Sequence, residues 1–273
     1  MNQFFNFNRF SLLVAKHWAD NKKRYVLSVL AFIGLLVGWY TFTILIDSRF
    51  PMGQGLQMVT FFFSLFTVGS FYASQYFRDL GSRAKGINFL LVPASAFEKA
   101  LCSLLYTVVL FFVVFTLSFY LVDIVMVWIA HNFITDIPYP EDQQGLLNVF
   151  DAAKIHASPK TTVNILWIYF SLQSVFLLGS VYFEKYSFIK TVIAGFVLFF
   201  IFFCFVYILY DLMPKGDYVN GILTSYRIKN HGKEDYLVKL PDWIGQLLYY
   251  IFMYGTAPFL YIVTYVRLKE KQV

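Results

Sequence analysis

Charge is what this chain has least of. Only 14% of its 273 residues are Asp, Glu, Lys or Arg, against roughly 25% in an ordinary soluble domain. Too little polar surface remains to clothe a water-soluble fold, which excludes a soluble enzyme or a nucleic-acid binder. Cysteine is nearly absent: Cys102 and Cys204 each lie inside an apolar run, so there is neither a disulfide framework nor a zinc site, and both read as small apolar packing residues. The four histidines, His17, His131, His156 and His231, stand singly, without the paired spacing that metal binding or acid–base chemistry needs. No G-x-x-x-x-G-K-[ST] loop, G-x-S-x-G elbow or H-E-x-x-H pair occurs, so no catalytic, cofactor-binding or metal residue is assigned. The first 25 residues have no short apolar core followed by a small-residue cleavage site, and no cleaved signal peptide is expected.

Apolar residues fill the gap, at 59% of the chain and a mean hydropathy of +0.61. They come in blocks of about 20, enough to cross a hydrocarbon core about 30 Å thick. The expectation is an all-α polytopic membrane protein, a single membrane domain over 1–273 with spans at about 26–46, 57–77, 101–122, 163–183, 191–211 and 243–266. Trp39, Tyr40, Trp128, Trp167, Tyr182, Tyr207, Tyr210, Trp243 and Tyr265 fall near the span ends, at the depth amphipathic rings prefer.

Six spans put both termini on one side. The segments on that side hold 14 basic and 5 acidic residues, leaving 8 basic and 11 acidic for the other, with Asp123 and Asp211 counted there as border residues. Lys and Arg are retained on the cytoplasmic face, so both termini are expected in the cytoplasm of a multi-pass cell-membrane protein. The span middles carry almost no charge, which removes the usual proton and cation sites of gradient-driven transporters. Their neutral polar groups, such as Thr60, Ser64, Thr107, Ser171, Gln173 and Thr256, read as bonds back to their own helix or between helices before substrate contacts. Gly255 and Pro258 loosen or kink the last span.

Between the spans, the leader 1–25 places Phe7, Phe10, Leu13, Val14 and Trp18 on one helical face and ends in Lys22-Lys23-Arg24. This predicts an interfacial amphipathic helix whose basic end sits among anionic headgroups. The link 78–100 starts polar and Gly-punctuated, then carries an apolar patch, Ile87 to Val92, too short to span but able to pack on a surface. Pro93 ends that element, and Ser95 with Glu98 has the spacing of a capping box for a helix running into span three. The outcome is a short cytoplasmic lever fixed to a membrane helix.

Two loops face outward. Residues 123–162 begin with an apolar stretch that either prolongs span three or folds onto the interface, then become a true loop at Pro138 and Pro140. Residues 212–242 contain two β-prone runs, Gly221–Ile228 and Asp235–Leu240, about Asn230-His231-Gly232, and a small external hairpin is expected.

This organisation resembles the membrane subunits of ATP-binding-cassette exporters of the type 2 permease family. The run Leu91-Val92-Pro93-Ala94-Ser95-Ala96-Phe97-Glu98-Lys99 is similar to the Leu-Pro-x-Ser-x-x-Glu segment that precedes the third helix in that family, with Val92 intervening here between Leu and Pro. The resemblance implies that the leader corresponds to a connecting helix and about Gly81 to Ala94 to the coupling helix that docks on an ATPase subunit. Two permease subunits, identical or related, would enclose the pathway, with ATP and Mg held by the partner ATPase and no cofactor in this chain. Ile87, Phe89, Leu90 and Leu91 become the apolar docking contacts and Arg83 and Lys85 the polar rim, so Leu90→Asp is expected to uncouple the subunits. Asp79 and Glu98 read as helix-end and local charge partners. The competing reading is a membrane assembly or sensory protein whose leader and link bind another partner without transport. A membrane-embedded enzyme would instead need His131, His156, Asp136, Glu141 or Asp151 to converge.

Overall fold

In a computed structural model of the protein the described residues are 5–46, 52–133, 146, 159–183, 185–212, 216–218, 225–228, 236–239 and 241–271. Helices dominate, and six of them are long and apolar enough to cross a membrane. The first is α1, Phe7–Ile46. The leader is therefore no separate interfacial helix. No glycine or proline occurs between Phe7 and Ile33, so nothing breaks the backbone ladder, and leader and first span form one helix of 40 residues, about 60 Å long. Its basic end begins the apolar part of α1 without a joint.

Helix α2, Gln54–Gln75, is followed by a tight 3₁₀ turn, Arg78–Gly81, and a short helix α3, Arg83–Leu91. Then α4, Ala96–Leu104, passes through a widened π turn, Leu105–Leu110, into α5, Phe111–Phe133. The apolar stretch after Asp123 thus prolongs the third span. Helices α6, Pro159–Tyr182, and α7, Ser187–Leu212, follow, joined by a tight link in which Tyr186 has φ 54°. Three short antiparallel strands, β1 Gly216–Tyr218, β2 Ser225–Ile228 and β3 Tyr236–Lys239, pair in chain order. The two runs read as a hairpin supply β2 and β3, with Ser225 opposite Lys239, and β1 adds a third strand that the sequence reading omitted. Their turn, Asn230-His231-Gly232, lies outside the described residues. The last span is α8, Asp242–Tyr250, a second π turn, Ile251–Gly255, and α9, Thr256–Glu270. Pro258 has no N–H to offer the Tyr254 carbonyl, which accounts for the widened turn just before it.

The largest core lies between α1, α2 and α5. Phe32, Leu36, Tyr40 and Ile44 recur every four residues on α1 and meet Phe111, Phe115 and Phe119 of α5 and Phe61 and Leu65 of α2. In lipid no water drives these faces together, so close packing has to hold them. The rings interlock accordingly: Phe32 and Phe115 stand 4.9 Å apart, and Phe61 meets Phe119 edge-on at 5.0 Å. Helix α6 is the hub of the other half, packed against α2, α7 and α9. Gln173 of α6 donates to the Thr107 carbonyl that the first π turn frees, and Ser171 bonds Thr256 at 2.8 Å beside the second. Other neutral polar groups of the spans bond back to their own helix, as Ser64 does to Thr60 O and Thr107 to Ser103 O.

Asp123 departs from its reading as a border residue. It is fully buried, and Tyr40 Oη donates to its Oδ1 at 3.0 Å, while Oδ2 has no hydrogen-bond partner among the described residues.

Candidate docking site at the link between the second and third spans

Helix α3 is built onto the end of α2 by backbone bonds. Leu80 N–H donates to Phe77 O at 3.0 Å, Ser82 N–H to Asp79 O at 3.3 Å and Gly86 N–H to Ser82 O at 2.7 Å. Gly86 lies against the 3₁₀ turn so closely that a Cβ there would sit 3.2 Å from the Leu80 carbonyl oxygen and 3.6 Å from its Cα. Since backbone cannot swing aside as a side chain can, Gly86→Val should lift α3 off the turn at a cost of about 2 kcal/mol. Increased proteolytic cleavage at Lys85, with the membrane-spanning fragments intact, would report it.

The other end of α3 is held by α4. Lys99 is buried, and its Nζ donates to Leu90 O at 3.0 Å while standing 5.4 Å from the Phe89 ring. A cation on the last carbonyls of a helix satisfies groups that have no partner within it and complements the helix dipole. Phe89 in turn meets Phe77 edge-on at 6.0 Å. Phe89, partly buried, therefore anchors α3 to the body of the protein. Leu90 is half-buried beside it. The exposed apolar side chains of α3 are Ile87 and Leu91, at 56% and 73% exposure and four residues apart on one face. Lys85 is exposed at the rim, 3.6 Å from Asp79. Arg83 begins the helix, and its side chain lies outside the described residues.

Pro93 lies beyond the end of α3, and the chain turns through an Ala94 N–H to Val92 O bond of 2.7 Å into the capping box. Both halves of the box are present. Glu98 N–H donates to Ser95 Oγ at 3.1 Å, and Ser95 N–H donates to Glu98 Oε2 at 2.8 Å. The carboxylate does more than cap. Arg9 Nε and Nη2 reach it at distances from 2.7 to 3.0 Å, and Asn6 N–H donates to Oε1 at 2.8 Å. Phe97 meets Phe5 and Tyr265 edge-on, each at 6.2 Å. The start of α4 thus joins the amino-terminal segment, α3 and α9.

No family model, curated protein or solved structure matches the chain.

The membrane-surface residues divide. Leu13 is buried against Cys102 and Tyr106, with Phe10 and Val14 packed beside it. Tyr106 Oη donates to Val14 O at 2.9 Å. Those three leader residues pack against protein, Phe10 and Val14 only in part, and Cys102 is the buried packing residue its setting suggests. Phe7 and Trp18 remain exposed, as do Lys22, Lys23 and Arg24. A single apolar stripe looks the same whether lipid or a neighbouring helix covers it. Arg9 and Lys99 are the partners that sequence reading missed; Lys99 adjoins Glu98 in the chain, whereas Arg9 lies 89 residues away.

Among the described residues no group of three or more His, Cys, Asp or Glu is arranged to hold a metal ion. Of the residues on which a membrane-embedded enzyme would depend, only His131 is described, and its Nδ1 lies 2.8 Å from Val127 O.

Proposed function

We propose that this chain is the transmembrane permease subunit of an ATP-binding-cassette exporter, driven by a separate ATPase subunit. The observation that carries the reading is α3: a short helix with an exposed Ile87–Leu91 face, fastened to α2 by its Gly86 turn and to α4 by Lys99. The likeness of Leu91–Lys99 to the family's segment before the third helix, and the basic excess on that side of the membrane, support it. Closure of two ATPase subunits on ATP and Mg would push on α3, and its fastenings would carry the motion into α2 and α4–α5. Two permease subunits, identical or related, would enclose the path outward. Helix α7, almost entirely uncovered by the rest of the chain, leaves ample surface for lipid or the second subunit.

Leu91→Asp tests this better than Leu90→Asp, because Leu90 is half-buried and adjoins the Lys99 contact. Tagged protein purified in mild detergent should bring down a stoichiometric ATPase, and Leu91→Asp or Ile87→Asp should weaken that association by about thirtyfold or more while membrane insertion is unchanged. Unchanged ATPase retention would remove α3 from the docking role. A different partner, or none, would favour a membrane assembly or sensory protein without transport.

A further inference from the structure

A cavity of about 540 Å³ lies between the amino-terminal half of α1, the end of α2 and α3. Four cationic side chains, Lys16, Lys23, Arg24 and Lys85, line it, together with two carboxylates, Asp20 and Asp79. Lys85 stands 3.6 Å from Asp79, which leaves Lys16, Lys23 and Arg24 as the basic side against Asp20. The inner wall is aromatic. His17 stacks on Tyr76 at 4.8 Å and its Nε2 lies 2.6 Å from Tyr25 Oη, while Tyr72 stands 5.8 Å from Tyr25. Arg24 reaches across the opening toward Gln75 Oε1 at 3.5 Å, a long contact that a stronger acceptor would displace.

The depth of the cavity fixes what comes to it. Arg24 is the last charge before α1 becomes continuously apolar, and Tyr76 follows the end of α2. The basic rim is therefore at headgroup level and the aromatic wall at the acyl boundary, an arrangement that suits a ligand with a phosphate at one end and an apolar body at the other. We propose that this cavity binds an anionic phospholipid, its headgroup phosphate held by Lys16, Lys23 and Arg24 and its glycerol end against Tyr25 and Tyr76. The site is separate from the Ile87–Leu91 face, so it stands or falls independently of the docking role of α3.

The experiment is thermal unfolding of the full chain in a neutral detergent, titrated with short-chain phosphatidylglycerol, with phosphatidylcholine of the same chain length and with inorganic phosphate. Phosphatidylglycerol should stabilise the protein saturably, and the other two should not do so at the same concentration. Lys16→Gln with Arg24→Gln, both at exposed positions and therefore compatible with folding, should weaken the apparent affinity about twenty-five-fold, at roughly fivefold per charge. The charge-conserving pair Lys16→Arg with Arg24→Lys should keep most of it. Equal stabilisation by phosphatidylcholine, saturation by inorganic phosphate alone, or undiminished binding by the Gln pair would each overturn the assignment.

Discussion

Gly179→Ala should lower the unfolding midpoint of the purified protein sharply, although it adds a single methyl group. Gly179 is where α6 and α7 touch: a Cβ there would collide with Thr191 Oγ1 and stand 2.9 Å from its Cβ and Cγ2. The threonine has little room to yield. Its branched Cβ restricts χ1, and Oγ1 donates to Ser187 O at 2.8 Å, a bond that any rotation would sacrifice. The two helices must therefore separate, and in lipid their close approach is itself the source of association. Overpacking at this severity costs about 3 kcal/mol, a fall of roughly 5–10 °C in a protein of this size. Combining Gly179→Ala with Thr191→Gly, which removes every clashing atom, should recover most of the loss. A single variant that melts like the parent, or a double variant no better than the single, would mean that α6 and α7 do not meet here.

What the sequence made legible was local. Apolar blocks of span length, the Ser95–Glu98 box and the stop at Pro93 are each decided within a few residues, and the structure has helices and a cap at those places. Partners far along the chain were not legible. Ile87 to Val92 is apolar but for Asn88 and too short to show a period, so nothing in it says that Phe89 turns in and Leu91 out. That is settled by Phe77 and Lys99, which come from other elements. The leader shows its helical period plainly, yet its Phe10–Leu13–Val14 stripe meets Tyr106 and Cys102 some 90 residues on. Asp123 interrupts the apolar run of the third span, and only Tyr40, 83 residues earlier, reveals it as buried. In a membrane protein lipid and protein present similar apolar surfaces, so an apolar pattern marks a helix without marking its neighbour.

Glu98→Ala should have the second large effect, and a more selective one. The carboxylate is fully buried and serves three donors at once: the Ser95 and Asn6 backbone N–H groups and the Arg9 guanidinium. Alanine removes the acceptor from all three and half of the capping box. Breaking a buried ion pair costs about 3–5 kcal/mol, but Arg9 keeps 35% of its side chain exposed, and water recovers part of the loss. A cost of about 2–3 kcal/mol follows. It should fall on one place, because the large core between α1, α2 and α5 makes no use of Glu98. The amino-terminal turn should therefore come loose first, seen as faster tryptic cleavage at Arg9 and Lys16, while the midpoint of global unfolding drops less than for Gly179→Ala. Glu98→Gln, which keeps the shape and one acceptor oxygen, should lie between. Arg9→Ala and Glu98→Ala together should cost clearly less than the sum of the two, since each removes the same contact. Additive losses would show that Glu98 acts as a helix cap alone. Sub-additive losses joined to weaker association of the proposed ATPase subunit, with Leu91 intact, would make this carboxylate the fastening through which α3 and the leader move as one body.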